Sequence, residues 1–336
     1  MHGPWRPFPC RIQDSTSPQL LIAYDAGDFE TAIARLNSLQ ARRRSADIAL
    51  LLADCYHALG RSTESQDSLR EALALDPKVS WTPYADLAHD AEEGGNVSQA
   101  REILAQGRAL FPGSRELVLA AARLEAGQGN QTSARALLEA LVAQRPDDAE
   151  AALLLLGLRA PGLSSQAYRA EMWKLFDRVP SDGKVFLTLA SSLIASHDWE
   201  SAGIAIHQHE IAHGADDPDS LAIRALVYAM QGKESRAVDS LAQAVGQGGE
   251  ARYRYDLAVL LFRRGDPQEA LSQLAQAGGD APPDIRARFE TLKGRCMSAT
   301  GDIPGARNAF LRAQALDPHA LRPAMELRKL EAQGHQ

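Results

Sequence analysis

One skeleton recurs along this chain and restricts what it can fold into. In Gly301 to Pro318, GDIPGARNAFLRAQALDP, an alanine follows the glycine after five residues, a bulky apolar residue after nine and a proline after seventeen. The glycine returns at Gly27, Gly60, Gly95, Gly129, Gly232 and Gly265. Its alanine is Ala32, Ala100, Ala134, Ala237, Ala270 or Ala306, with Ser65 in the second copy. Its bulky residue is Leu36, Leu69, Leu104, Leu138, Leu241, Leu274 or Phe310. Pro77, Pro112, Pro146, Pro282 and Pro318 close five copies, and Arg44 and Gly249 stand in that place in two. A further copy has His197 for its glycine but keeps Ala202 and Ile206. The period is about 34 residues, that of stacked helical hairpins.

Each element of the skeleton has a physical task. The glycine ends a first helix in a left-handed turn that a side chain would strain. The alanine lets the second helix approach the first. The proline stops the second helix and starts the next unit. In most copies another small residue lies seven residues before the glycine position: Ala53, Ala88, Ala122, Ala190, Ala225, Ala258 or Gly294. Small against small allows close crossing.

These motifs resemble the tetratricopeptide repeat family over roughly residues 13 to 318. The family's tryptophan is mostly absent, and Tyr56 and Tyr228 survive four residues before their glycines. The resemblance implies an all-α, right-handed superhelical solenoid of about nine helix-turn-helix repeats, one degenerate, with a C-terminal capping helix. Five segments are expected. They are an extended lead-in at 1–12, a repeat array at 13–148, a degenerate repeat and hinge at 149–182, a second array at 183–319, and a capping helix and tail at 320–336. The hinge is expected where Arg159-Ala-Pro-Gly162 interrupts the pattern, and Met172, Trp173 and Phe176 follow on one stripe read as core.

Composition excludes several classes. The chain has 336 residues and a formal net charge of −7, which disfavours bulk binding of nucleic acid. Its longest apolar run, Ala151 to Leu158, is too short to span a bilayer. The start, MHGPWRPFPCRI, has no apolar core and does not read as a secretory signal. A cytoplasmic setting is the default, and export stays open because a leader can be missing from a given sequence. Cys10, Cys55 and Cys296 have no metal or redox spacing. Cys55 and Cys296, each five residues before a glycine, read as small buried hydrophobes. Asn96-Val-Ser98 and Asn130-Gln-Thr132 match glycosylation acceptors but read as polar turn residues.

Residues His209-Glu210-Ile211-Ala212-His213 match H-E-x-x-H on an expected helix. Two histidines four apart share a face and can share a zinc ion, and the glutamate could polarise a bound water. The five residues resemble the zinc-protease signature and nothing more. No third ligand follows at metzincin spacing, the chain shows no strand to hold a substrate, and His209 falls in a packing slot of a second helix. The motif reads as a plain helix face, with His209 and His213 as the metal candidates. No cofactor and no catalytic constellation are expected.

In the resembled family the first helix of each hairpin lines a concave groove. Positions thirteen, ten, six, three and two before each glycine trace one face of that helix. Early repeats place Asp14, Asp25, Asp47, Asp54, His57, His89, Glu92 and Glu93 there. Late repeats place Arg252, Tyr255, Phe262, Arg263, Arg288 and Arg295 there. The groove is expected to be acidic early and basic with two aromatics late, a surface for an acidic peptide with an apolar anchor. The chaperone-tail clamp of some relatives needs an asparagine at these offsets. None is present, and Lys184 is the single groove lysine. The expected function is a scaffold that binds a protein or peptide and supports assembly of a complex. Self-association through the solenoid ends or convex face is the alternative.

Overall fold

The computed structural model describes residues 18–248, 251–277 and 283–333. The lead-in at 1–12, Cys10, Asp14, Gly249, Gly278, Gly279 and Pro282 lie outside the described residues. Among those described, the chain is helical and contains no strand. It divides into two compact units, residues 1–161 and 162–336.

The first unit holds four hairpins and a closing helix. The hairpins pair α1 (Pro18–Asp25) with α2 (Phe29–Arg42), α3 (Ala46–Ala58) with α4 (Ser62–Leu75), α5 (Thr82–Glu93) with α6 (Val97–Leu110), and α7 (Arg115–Gly127) with α8 (Gln131–Gln144). α9 (Ala149–Arg159) follows, ending in a single 3-10 turn at Ala160–Gly162. The second unit opens with α10 (Ser165–Arg178). Its hairpins pair α11 (Gly183–Ala195) with α12 (Trp199–His213), α13 (Pro218–Met230) with α14 (Glu234–Gly246), α15 (Ala251–Arg264) with α16 (Pro267–Gln276), and α17 (Pro283–Ala299) with α18 (Ile303–Leu316). α19 (Leu321–Gln333) packs on α18 and α17. Within each unit a first helix packs on its own second helix, which packs on the next hairpin's first helix.

The skeleton residues do what their spacing demands. All seven glycines adopt φ between 71° and 97°. The residue after each glycine donates its N–H to the carbonyl five residues back, as Arg61 does to Tyr56 (2.9 Å) and Asp302 to Met297 (2.9 Å). That bond closes the first helix, and the same residue begins the second. Asp28 and Asn96 then cap the second helix, accepting from the N–H of Thr31 and Gln99. The alanines at the fifth position are completely buried, and Ser65, their substitute, donates its hydroxyl to the Ala53 carbonyl at 2.9 Å.

The copy without a glycine keeps the turn. His197 has φ 58°, the single non-glycine residue with positive φ among those described. Asp198 N–H still bonds the Leu193 carbonyl at 3.0 Å, and Asp198 caps α12 through Ser201. The His197 ring meets Trp199 edge-on at 5.4 Å. A β-carbon in this region is strained. His197→Gly is therefore expected to stabilise the second unit by about 0.5–1 kcal/mol, the relief of strain outweighing the extra freedom of the unfolded chain. Urea denaturation followed by helical circular dichroism reads this directly, and a destabilised variant would mean that the Trp199 contact outweighs the strain.

Burial also explains two cysteines. Cys55 and Cys296 are completely buried. Removal from water pushes their thiols up to about 12 and about 11 respectively, so neither supplies a thiolate near neutral pH.

Candidate functional site

The offsets that trace one face of each first helix place their residues as follows. In the first unit Asp25, His57, His89, Glu92 and Glu93 are exposed, and Asp47 and Asp54 are half-buried. His89 lies 3.3 Å from Glu93 on the same helix. Carboxylates dominate this face.

The second unit's face has three parts. The first is a network that uses up one expected groove arginine. Arg252 Nη2 donates to Asp219 Oδ1 at 2.6 Å, and the Tyr253 hydroxyl donates to the same oxygen. Arg252 also lies over the Tyr253 ring, 4.6 Å from its centre. Asp219 and Arg252 are each the second residue of their helices, so stacking the hairpins brings them together. Burial, followed by the bond to Asp219, raises the Tyr253 hydroxyl above its usual range.

The second part is a hollow of about 410 Å3 beside that network. Leu187 of α11, Ala222, Leu226 and Met230 of α13, and Val259 of α15 form its apolar wall. Leu226 and Met230 are 43% and 49% exposed, high values for such side chains on a packed helix stack. Arg263 stands at its edge with Glu234 at 3.8 Å, an exposed pair worth little. Asp256 also lines the hollow. Solvent reaches it, but the surrounding protein desolvates it and raises its carboxyl, partly offset by Arg252.

The third part is basic and aromatic. The Tyr255 ring of α15 stacks on Phe289 of α17, centres 4.9 Å apart and planes within 5°. Arg295 of α17 lies over the Phe262 ring of α15 at 4.7 Å. Burial raises the Tyr255 hydroxyl, and the nearby charges of Arg288, Arg322 and Arg295 pull it the other way. Arg288 and Arg322 are exposed and Arg295 half-buried. No ion pair joins these three arginines to a carboxylate among the described residues.

Two features of this face escape a reading by charge. Leu226 and Met230 fall at the sixth and second positions before Gly232, within the offsets that define the groove, but they carry no charge. Arg322 is the second residue of α19, the place Arg252 holds in α15. Treating α19 as one more first helix, rather than only as a cap, gives it that role.

Of the H-E-x-x-H segment, only its first histidine enters the core, and Ile211 and His213 are exposed. His209 of α12 is completely buried, its ring stacked on Phe186 at 4.2 Å and on His213 at 5.0 Å. Its Nδ1–H donates to the Pro180 carbonyl at 2.5 Å, and that of His213 to the Ser181 carbonyl at 3.0 Å. Glu210 is 2.9 Å from Arg224 of α13. Among the described residues no group of three histidine, cysteine or acidic side chains is placed to hold one metal ion. Both imidazoles fasten α12 to the turn before α11, which is a packing task.

Comparison with known proteins gives the class. Residues 23–89 and 91–157 match one family model described as tetratricopeptide repeat, and residues 224–285 match another of the same description. The chain belongs to the tetratricopeptide repeat family. Such repeats mark a protein–protein interaction scaffold. It is 27% identical over 319 residues to Cellulose synthase 2 operon protein C of Komagataeibacter xylinus, covering 89% of this chain and 24% of that protein. It is also 27% identical over 315 residues to Cellulose synthase operon protein C of Xanthomonas axonopodis pv. citri (strain 306), covering 90% of this chain and 18% of that protein. The chain thus spans a quarter or less of the curated relatives it matches.

Two solved structures share the fold. The APC/C hetero-tetramer Cut9-Hcn1 has TM-score 0.51 at 16% identity, covering 90% of this chain and 58% of that one. The human IFIT1 dimer with m7Gppp-AAAA has TM-score 0.54 at 14% identity, covering 94% and 80%. No helix among the described residues is long and apolar enough to cross a membrane.

Proposed function

We propose that this chain is a non-catalytic scaffold that holds an acidic peptide segment of a partner protein on the first-helix face of its second unit. The observation that carries the reading is the group Arg288, Arg295 and Arg322 around stacked Tyr255 and Phe289, with no described carboxylate paired to it. Arginines beside aromatic rings, with no carboxylate partner among the described residues, suit carboxylates, because each guanidinium offers a planar fork of donors. A preformed face lowers the ordering cost on the scaffold's side, and the arginines steer an acidic partner towards it. The relatives' names point to a setting beside a cellulose synthase, and the same setting is proposed here, with the partner another protein of that system.

The test is capture from the native host's extract by wild type and by an Arg288→Glu, Arg295→Glu double variant, bound proteins identified by mass spectrometry. A defined partner held by wild type and lost at least tenfold with the double variant, at unchanged helical content, is the expected result. An identical captured set from both forms would refute this site.

A further inference from the structure

The hollow and the arginine group lie on one face at a fixed separation, and that separation is a specificity rule. We infer, resting on the scaffold reading above, that the second unit recognises an extended segment with a bulky apolar side chain about four residues from a pair of acidic ones. The apolar side chain enters the hollow between α13 and α15, walled by Leu226, Met230 and Val259. The acidic pair meets Arg288, Arg295 and Arg322 around the Tyr255–Phe289 stack.

The spacing follows from helix packing. The hollow is centred between α13 and α15, and the arginine group on α17, with Tyr255 on one side and Arg322 on the other. The centres are therefore about one and a half helix spacings apart. First helices also touch one another on this face, as α11 does α13 and α15 does α17, and a step of about 8–10 Å between neighbouring helices puts the two centres at roughly 12–15 Å. An extended chain advances about 3.3 Å per residue, so roughly four residues bridge the gap.

Charge selects the segment and its placement. Arg252 is engaged by Asp219 and Arg263 stands near Glu234, so the hollow end of the face is close to neutral. Asp256 there disfavours an acidic residue beside the apolar anchor. The positive charge without a described partner is concentrated at α17 and α19. An acidic group is accepted at one end only, and this fixes which helices meet the acidic pair.

The test uses fluorescein-labelled synthetic peptides. Each carries a Leu-Met pair and a Glu-Glu pair separated by zero, two, four, six or eight Gly/Ser residues. Both orders are titrated against the full chain by fluorescence polarisation. Affinity should peak near two intervening residues, which sets the centres of the two pairs four residues, roughly 13 Å, apart, and should fall at least tenfold at eight. Arg295→Gln with Arg322→Gln should weaken the best peptide at least tenfold and reduce its salt dependence. Leu226→Ser should weaken it to the level of a peptide lacking the Leu-Met pair. Circular dichroism checks that each variant keeps its helices, and raised salt on wild type repeats the charge test without mutation. Affinity independent of spacing, or no binding by any peptide, would overturn the inference. If that happens while the Arg288/Arg295 reversal still blocks partner capture, the scaffold reading stands and only the spacing rule fails. If both fail, the face is not the site.

Discussion

Phe310→Ala is expected to destabilise the second unit by about 3–5 kcal/mol, the usual cost of truncating a buried aromatic side chain. Phe310 is 1% exposed and fills the position that leucine or isoleucine holds in the other hairpins. Its extra volume is matched seven residues before Gly301, where Gly294 replaces the usual alanine. A β-carbon on Gly294 would lie 2.5 Å from Phe310 Cε1 and 2.7 Å from Cδ1. Gly294→Ala alone should therefore cost about 1–3 kcal/mol through overpacking. Phe310→Leu with Gly294→Ala rebuilds the pairing of the other repeats, and the double variant should be more stable than the sum of the two single changes predicts. The coupling should exceed about 1 kcal/mol in a double-mutant cycle by urea denaturation. Additive effects would show that the ring and the glycine adapt independently. Because a stack of repeats loses its units locally, hydrogen exchange in α17, α18 and α19 should accelerate before that in α11.

His209→Ala is the second change with a large expected effect. It removes a fully buried ring stacked on Phe186 and leaves the Pro180 carbonyl without its donor. Cavity and lost hydrogen bond together should cost about 2–4 kcal/mol. A chelator added to the wild type should leave the melting temperature unchanged, since the imidazoles hold a turn rather than an ion. Chelation that lowered the melting temperature as far as His209→Ala does would contradict the packing role and restore the metal reading. Glu210→Gln should matter less, because it weakens the pair with Arg224 but keeps the side chain's volume.

These two cases mark what the sequence made legible. The glycine turns, the buried alanines and the Leu or Phe positions follow from one hairpin's own spacing, and the chain repeats them often enough to fix the phase. His209 fell in a packing slot for the same reason, despite a motif that points to zinc. What needed the structure lies between hairpins. Asp219 and Arg252 are 33 residues apart, and their bond depends on how successive first helices register. The hollow at Leu226 and Met230 depends on the neighbouring helices leaving those side chains uncovered, which no single repeat encodes. The spacing put His197 at the glycine position, but not that it keeps the glycine's backbone turn, because φ 58° is rare for a residue with a side chain. Flanking bonds from Asp198 over-determine it.

The central claim is that the partner sits on the first-helix face of the second unit. A photoreactive amino acid placed at Tyr255, and in a separate variant at the exposed Asn308 of α18, tests this most directly. Both variants would be irradiated in host extract and their adducts resolved by mass spectrometry. The account predicts one defined protein adduct from position 255, suppressed by Arg288→Glu with Arg295→Glu, and none from position 308. An adduct from position 308 with nothing at 255 would place the partner on the second helices and contradict it.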